Sequence, residues 1–333
     1  QKTRLAAARL LGSLPDCFEQ QLRILLDDPE IEVESAAIKT VGKLRQRRFI
    51  PHLLRRLSDP QIQPAVIKAL AKFEDGIVGT LSDYLSDHST DIELRRSIPA
   101  VLVRIGTQEA ARVLTESLLE GDTVLRLRII SSLNKLRRLH PEVDLDSSMI
   151  ETVLAAEIMG HYRSYQILGT LGGHSECGDI AAVGFRESMN QEVERIFRLM
   201  QLLTPRHDLH SAYFGLQSKD PVVHDNALEF LDNILKPQVR KLLVPLLDSD
   251  VSLADRVRLA NRVVGAKVES KEEAVQALMH SQDPWLESRG AYAIGALHIK
   301  SLEPELDKHL NDSDPLLQEA ARQAKARLSE SSS

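Results

Sequence analysis

Cysteine is nearly absent. Cys17 and Cys177 are the only two, 160 positions apart, with no CxxC or Cys/His ligand spacing around them. That excludes a disulfide framework and a zinc site of ordinary spacing, and it makes a reducing compartment, the cytoplasm, the expected location. Aromatic residues are only 4% of the chain, too few for a sheet protein built on aromatic and β-branched side chains. No uninterrupted apolar run reaches the roughly 18 residues that a membrane-spanning helix needs, and the first residues lack the charged start, apolar middle and cleavage site of a signal peptide. Gly-rich phosphate loops of the Walker type and nucleophile elbows are also missing, so the sequence anchors neither nucleotide binding nor a hydrolase. No enzyme activity and no cofactor are expected.

What is present is helix-forming and core-forming. Of 333 residues 43% are apolar, the mean hydropathy is -0.19, and Leu, Ala, Arg and Glu dominate, residues that lose little side-chain freedom in a helix. Asp28-Pro29, Asp59-Pro60, Asp91 and Gly121-Asp122 follow one another at 31, 32 and 31 residues. Asp220-Pro221, Asp250, Asp283-Pro284 and Asp314-Pro315 do so at 30, 33 and 31. Constant self-similarity of this length marks a repeat array. Asp accepts hydrogen bonds from the free N–H groups at a helix start, and Pro at the next position forfeits none, so each Asp-Pro predicts a helix beginning.

After each Asp, apolar residues recur at helical spacing, as in Val33, Ala37 and Val41 or Ala227, Phe230 and Leu231. The segments before each Asp do the same, with Ile50, Leu53, Leu54 and Leu57, and with Val239, Leu242, Leu243 and Leu246. Two helices therefore make one unit. A lone pair of about 30 residues cannot bury its stripe, so pairs must stack. Small residues such as Ala36, Ala37, Gly290 and Ala291 predict close approach between neighbours. The expected fold is all-α, an α-α superhelix of about eight short helical pairs behind one leading helix. The segments "DPEIEVESAAIKTVGKL", "IPHLLRRLSDP" and "DPWLESRGAYAIGAL" resemble HEAT or HEAT-like repeats. The resemblance covers residues 1 to about 138 and about 206 to 328, and it implies an α-solenoid whose surface binds a partner.

The repeat lapses between Asp122 and Asp220, a spacing of 98. A helix is predicted from about Ser147 to Thr170, a Gly-rich turn at 171–179, and a second helix from about Asp179 to Leu203, stopped by Pro205. The expected division is thus an N-terminal arm at 1–140, a long irregular hairpin at 141–205, a C-terminal arm at 206–328 and a polar tail at 329–333. The hairpin is either an irregular repeat or a docking surface, for which Tyr162, Arg163, Tyr165 and Arg195 supply the residue types enriched at interface hot spots. Glu157 and His161, with Glu187, Glu192 and Glu194 on the next helix, could form a carboxylate–His metal site. Charged residues on a solvated face explain them more simply, because neither helix has the Glu-x-x-His spacing. His207 and His210 are expected to serve a helix start rather than a metal. A HEAT-like enzyme, lyase-like or DNA-glycosylase-like, is the alternative, and it requires a groove near this hairpin lined by Tyr162, Arg163 and Arg195.

Across the same region, "EVERIFRLMQLL", "AYFGLQSKDP" and "NALEFLDNIL" resemble the HEAT-repeat part of bacterial nucleotide-transporter-like membrane proteins of the ATP:ADP translocase type. The resemblance implies a cytosolic appendage to an upstream membrane domain. The Gln at position 1 and a first helix with no partner before it agree with an expected continuation upstream. Charge divides unevenly: residues 1–140 hold 22 Lys and Arg against 18 Asp and Glu, and residues 141–333 hold 20 against 30. Cations recur at related places between Lys43 and Arg138, and Arg47, Arg48, Arg55 and Arg56 are the candidates for a stripe facing a protein partner or an anionic lipid surface. The plainer account pairs them with the recurrent Asp of a neighbouring repeat and lays their stems over aliphatic surface. Nucleic acid is disfavoured as a partner by the net charge of -6 and the few aromatics nearby.

Overall fold

The computed structural model describes residues 1–13, 18–172, 180–281, 283–312 and 314–330. Cys17, Cys177, residues 173–179 of the Gly-rich turn and the last residues of the polar tail, 331–333, lie outside this set. The described residues are helical, with no strand among them. They form two compact units, Gln1–Glu120 with Val124–Ile150, and Gly121–Thr123 with the residues from Glu151 onward.

The first unit opens with α1 (Lys2–Leu10), followed by the pairs α2 (Glu19–Leu26) and α3 (Ile31–Leu44), α4 (Ile50–Arg55) and α5 (Gln63–Leu70), α6 (Val78–Ser86) and α7 (Ile92–Ile105), and α8 (Gln108–Glu116) and α9 (Thr123–Leu139). The long hairpin follows as α10 (Ser147–Thr170) and α11 (Ile180–Leu203). Behind it come α12 (Leu209–Leu216) and α13 (Pro221–Ile234), α14 (Pro237–Leu247) and α15 (Leu253–Val263), α16 (Lys271–Met279) and α17 (Pro284–Ala296), and α18 (Glu303–His309) and α19 (Pro315–Glu330). These are the expected eight short pairs, one leading helix and one long hairpin. Most of the predicted stripe residues are core: Val33, Ala37, Val41, Leu53, Leu54, Leu57, Leu231, Leu243 and Leu246 are buried, whereas Phe230, Val239 and Leu242 are half-buried.

The Asp signals work in two ways. Asp91, Asp220, Asp283 and Asp314 cap α7, α13, α17 and α19, accepting from the backbone N–H of Leu94, Val222, Trp285 and Leu316 at 2.9–3.0 Å. Pro221, Pro284 and Pro315 are the first residues of their helices, where the missing N–H costs nothing. At Asp28-Pro29 and Asp59-Pro60 the carboxylates instead accept from Glu30 and Gln61 N–H at 3.0 Å. The chain makes a short Asx turn there, and α3 and α5 begin only at Ile31 and Gln63. At Asp250 the cap has moved to Ser252, whose hydroxyl accepts from Asp255 N–H. Asp220→Ala and Asp283→Ala should each lower stability by about 1 kcal/mol in urea denaturation, and Asp250→Ala should stay within about 0.5 kcal/mol.

Small residues set the distance between repeats. A Cβ on Gly42 of α3 would lie 2.8 Å from Ala69 Cα of α5, and one on Gly295 of α17 would lie 2.7 Å from Ala324 Cα of α19. The backbones touch because neither glycine has a side chain. The same device thus joins successive repeats in both units.

Candidate functional site

The hairpin is built into the second unit through α10. Tyr162 is fully buried, and its hydroxyl donates to Leu242 O of α14 at 2.6 Å. Gln166 donates to Asn261 Oδ1 at 2.9 Å and to Ala266 O at 2.7 Å, and Thr170 donates to Val268 O at 3.1 Å. Burial pushes the Tyr162 phenol up to about 12 from its ordinary 10.0. Below the ordinary value the phenol is neutral whether the chain is folded or not, so this contribution is complete there. It is lost as pH climbs from 10.0 towards about 12, where only the unfolded chain ionises readily. Tyr162→Phe should cost about 1 kcal/mol near neutral pH and flatten part of the alkaline fall in stability, measured by urea titration across that range.

Of the hot-spot candidates, Tyr162 and Arg195 are buried in the helix packing, and Tyr165, also buried, lies against the groove described below. Arg195 Nε donates to Glu157 Oε2 at 2.9 Å across the hairpin, with both side chains 7% exposed. Arg163 reaches Gln166 Oε1 at 3.1 Å and Glu273 at 3.4 Å. The solvated-face account of Glu157 and His161 is likewise overturned by burial. His161 is 2% exposed, and its Nδ1 lies 2.7 Å from Glu192 Oε2, while Ser164 Oγ donates to Glu192 Oε1 at 2.8 Å. Glu157 and Glu192 thus find their partners across α10 and α11, an arrangement that sequence spacing along one helix does not reveal. The described residues bring no three His, Cys, Asp or Glu side chains into a metal-binding group.

Beside this network, α10, α11, α12, α14 and α15 enclose a groove of about 510 Å³, within the range of ligand sites. Its floor is aliphatic, with Leu168, Met189 and Leu246 among its residues. Its polar lining is His161, Tyr165, Arg186, Asn190, Gln217 and Arg256, with Tyr213 at its edge. The Arg256 guanidinium donates to Tyr165 Oη at 3.2 Å and to Asp248 O at 2.5 Å, and lies 5.6 Å from the Tyr165 ring centroid. Burial raises the pKa of Tyr165, and the adjacent Arg256 partly offsets that rise. No Ser, Thr, Cys, Lys, Asp or Glu is among the described lining residues. The lining thus sets guanidinium, amide and phenol groups above an aliphatic floor. A groove does exist near the hairpin, but Tyr162, Arg163 and Arg195 do not line it.

Residues 50–134 match the HEAT repeats family. The fold is a HEAT-like α-solenoid. No curated protein matches the chain. Among solved structures, a crystal structure of an engineered protein is 17% identical, with 98% of this chain and 95% of that one covered and a TM-score of 0.30.

In the HEAT-like repeats of the first unit, the cations are largely committed to neighbouring repeats. Arg48 pairs with Glu19 at 2.8 Å and lies over the Phe49 ring, Arg56 pairs with Glu34 at 2.8 Å, and Arg45 pairs with Glu74 at 2.9 Å. Arg95 is buried, bonded to Glu120 at 2.6 Å and to Leu85 O at 3.0 Å. The expected partner was the recurrent Asp; only the Arg4–Asp28 pair, at 2.7 Å, uses one among these contacts. Hydrogen bonding from Arg4 holds Asp28 below the usual carboxylate range. Arg47 and Arg55 are exposed and donate to the backbone oxygens of Gly76 and Pro51. The four stripe candidates thus differ: two sit in ion pairs and two carry only carbonyl contacts. Arg186 and Arg256 were missed in the sequence because "RES" and "DRVRLANR" give no sign of which arginine faces a groove.

Proposed function

We propose that the chain is a non-catalytic protein-interaction scaffold. The observation that carries this reading is the repeated stacking of short helical pairs, with a HEAT-repeat match at 50–134. Such arrays present recurring side chains along extended faces and bind through many shallow contacts. The finer setting, a cytosolic appendage of a nucleotide-transporter-like membrane protein, rests on the resemblance of residues 192–235 alone. The partner is then a protein, with the upstream membrane domain of the same polypeptide as one candidate.

The test is affinity capture at low and high salt, followed by reconstitution from purified components, with anionic vesicles in parallel. A stoichiometric complex that survives high salt is the expected result. Capture by vesicles alone, lost in salt and lost on reversing Arg47, Arg48, Arg55 and Arg56 to Glu, would replace the scaffold reading with a membrane-facing one.

A further inference from the structure

We infer that the groove among α10, α11, α12, α14 and α15 is a docking site for a short acidic, apolar segment of a partner polypeptide. The inference deepens the scaffold reading and rests on it. Charge is the first argument. Residues 141–333 carry 20 Lys and Arg against 30 Asp and Glu, yet the described groove lining contains two arginines, Arg186 and Arg256, and no carboxylate. Of the acids on the adjoining helix, Glu192 is held by His161 and Ser164, and Glu194 accepts from Arg198 at 2.6 Å. A cationic recess in an acidic region selects against cations and favours a carboxylate.

The second argument is a preset guanidinium. Arg256 directs two of its nitrogens to Tyr165 Oη and Asp248 O, and a guanidinium has five N–H donors, so these bonds do not exhaust it. Held by two fixed acceptors, it is already oriented for a carboxylate. The third argument concerns the body of the ligand. The floor is aliphatic, and the apolar surface continues outward from Tyr213 to Phe214, whose rings are 5.5 Å apart and of which Phe214 is 55% exposed. An occupant that extends past the groove gains this contact, which a small organic acid confined to the recess does not. Aromatic anchors beside arginine are the residue types that dominate peptide and protein interfaces.

The test uses the whole chain and fluorescein-labelled ten-residue peptides built from Leu, Phe and Glu, with Gln-for-Glu counterparts, read by fluorescence polarisation. Glu peptides should bind at least tenfold more tightly than Gln peptides. Arg256→Gln should weaken Glu-peptide binding at least tenfold. Gln217→Glu, which adds a carboxylate to the groove and leaves Arg256 in place, should do the same even if Arg256→Gln proves unstable by thermal melt. Arg258→Gln, at an exposed arginine paired with Asp255, should change binding less than twofold. Equal affinity for Glu and Gln peptides, or equal loss from Arg258→Gln and Gln217→Glu, would overturn the assignment. Tighter binding of a medium-chain fatty carboxylate that displaces every peptide would overturn it in favour of a small amphipathic acid. A reconstituted partner complex insensitive to Gln217→Glu would remove the groove while leaving the scaffold reading intact, whereas failure to form any protein complex removes the scaffold reading itself.

Discussion

Arg195→Met is expected to lower the stability of the second unit by about 3–5 kcal/mol, because it strands the Glu157 carboxylate in the hairpin interior. Glu157 and Arg195 are each 7% exposed and meet at 2.9 Å, so water cannot take over the lost partner. Glu157→Leu alone should cost a similar amount for the mirror reason, leaving a buried guanidinium unpaired. The double variant Glu157→Leu, Arg195→Met should recover most of that loss, since a buried ion pair replaced by apolar residues of similar volume is often neutral or stabilising. A double-mutant cycle in urea reads the coupling directly, and the single losses should exceed the double loss by more than about 2 kcal/mol. Single variants within about 1 kcal/mol of the parent would show that the pair behaves as a surface salt bridge.

Gly42→Ala and Gly295→Ala should both destabilise, against the usual sign. In an open helix interior Ala is better than Gly by about 1 kcal/mol. Here a new Cβ would stand 2.8 Å from Ala69 Cα or 2.7 Å from Ala324 Cα, backbone positions that cannot swing aside. Overpacking of this kind costs about 1–3 kcal/mol, and valine at either site should cost more. Gly160 of α10 is the control: nothing lies within 4 Å of its Cβ direction, so Gly160→Ala should stabilise by about 1 kcal/mol. Opposite signs at Gly42 and Gly160 in thermal or urea unfolding would confirm that close helix contact sets the repeat spacing. A gain at Gly42 would mean that the first unit can widen freely.

The repeat period and the helix ends were legible because they depend on local chemistry. Asp caps, Pro at the first helical position and apolar spacing act within a few residues, so α13, α17 and α19 begin where the sequence places them, and α10 spans Ser147–Thr170 as predicted. Where a turn intervened, at Asp28 and Asp59, the same carboxylate chose a nearer N–H and the helix began later. The groove was not legible, for a different reason. Its lining comes from five helices, and Arg256 and Tyr165 are 91 positions apart. The burial of Glu157, His161 and Arg195 likewise depends on which faces of α10 and α11 meet. Charged residues at helical spacing look the same in sequence whether they face water or one another.

The ties made by α10 also bear on how the chain folds as it is synthesised. In the first unit, partners between repeats are close in sequence: Arg4 and Asp28 are 24 positions apart, Arg45 and Glu74 are 29, and Gln108 and Asp144 are 36. Each pair can dock soon after it emerges. Tyr162, Thr170 and Gln166 instead wait for partners 80, 98 and 100 positions downstream. At about 5–20 residues per second, that delay is roughly 5–20 s, during which an apolar helix of 24 residues has none of these fixings. The second unit is therefore the part of the nascent chain most dependent on chaperone protection, and pausing translation shortly before residue 242 should expose it to proteolysis while the first unit resists.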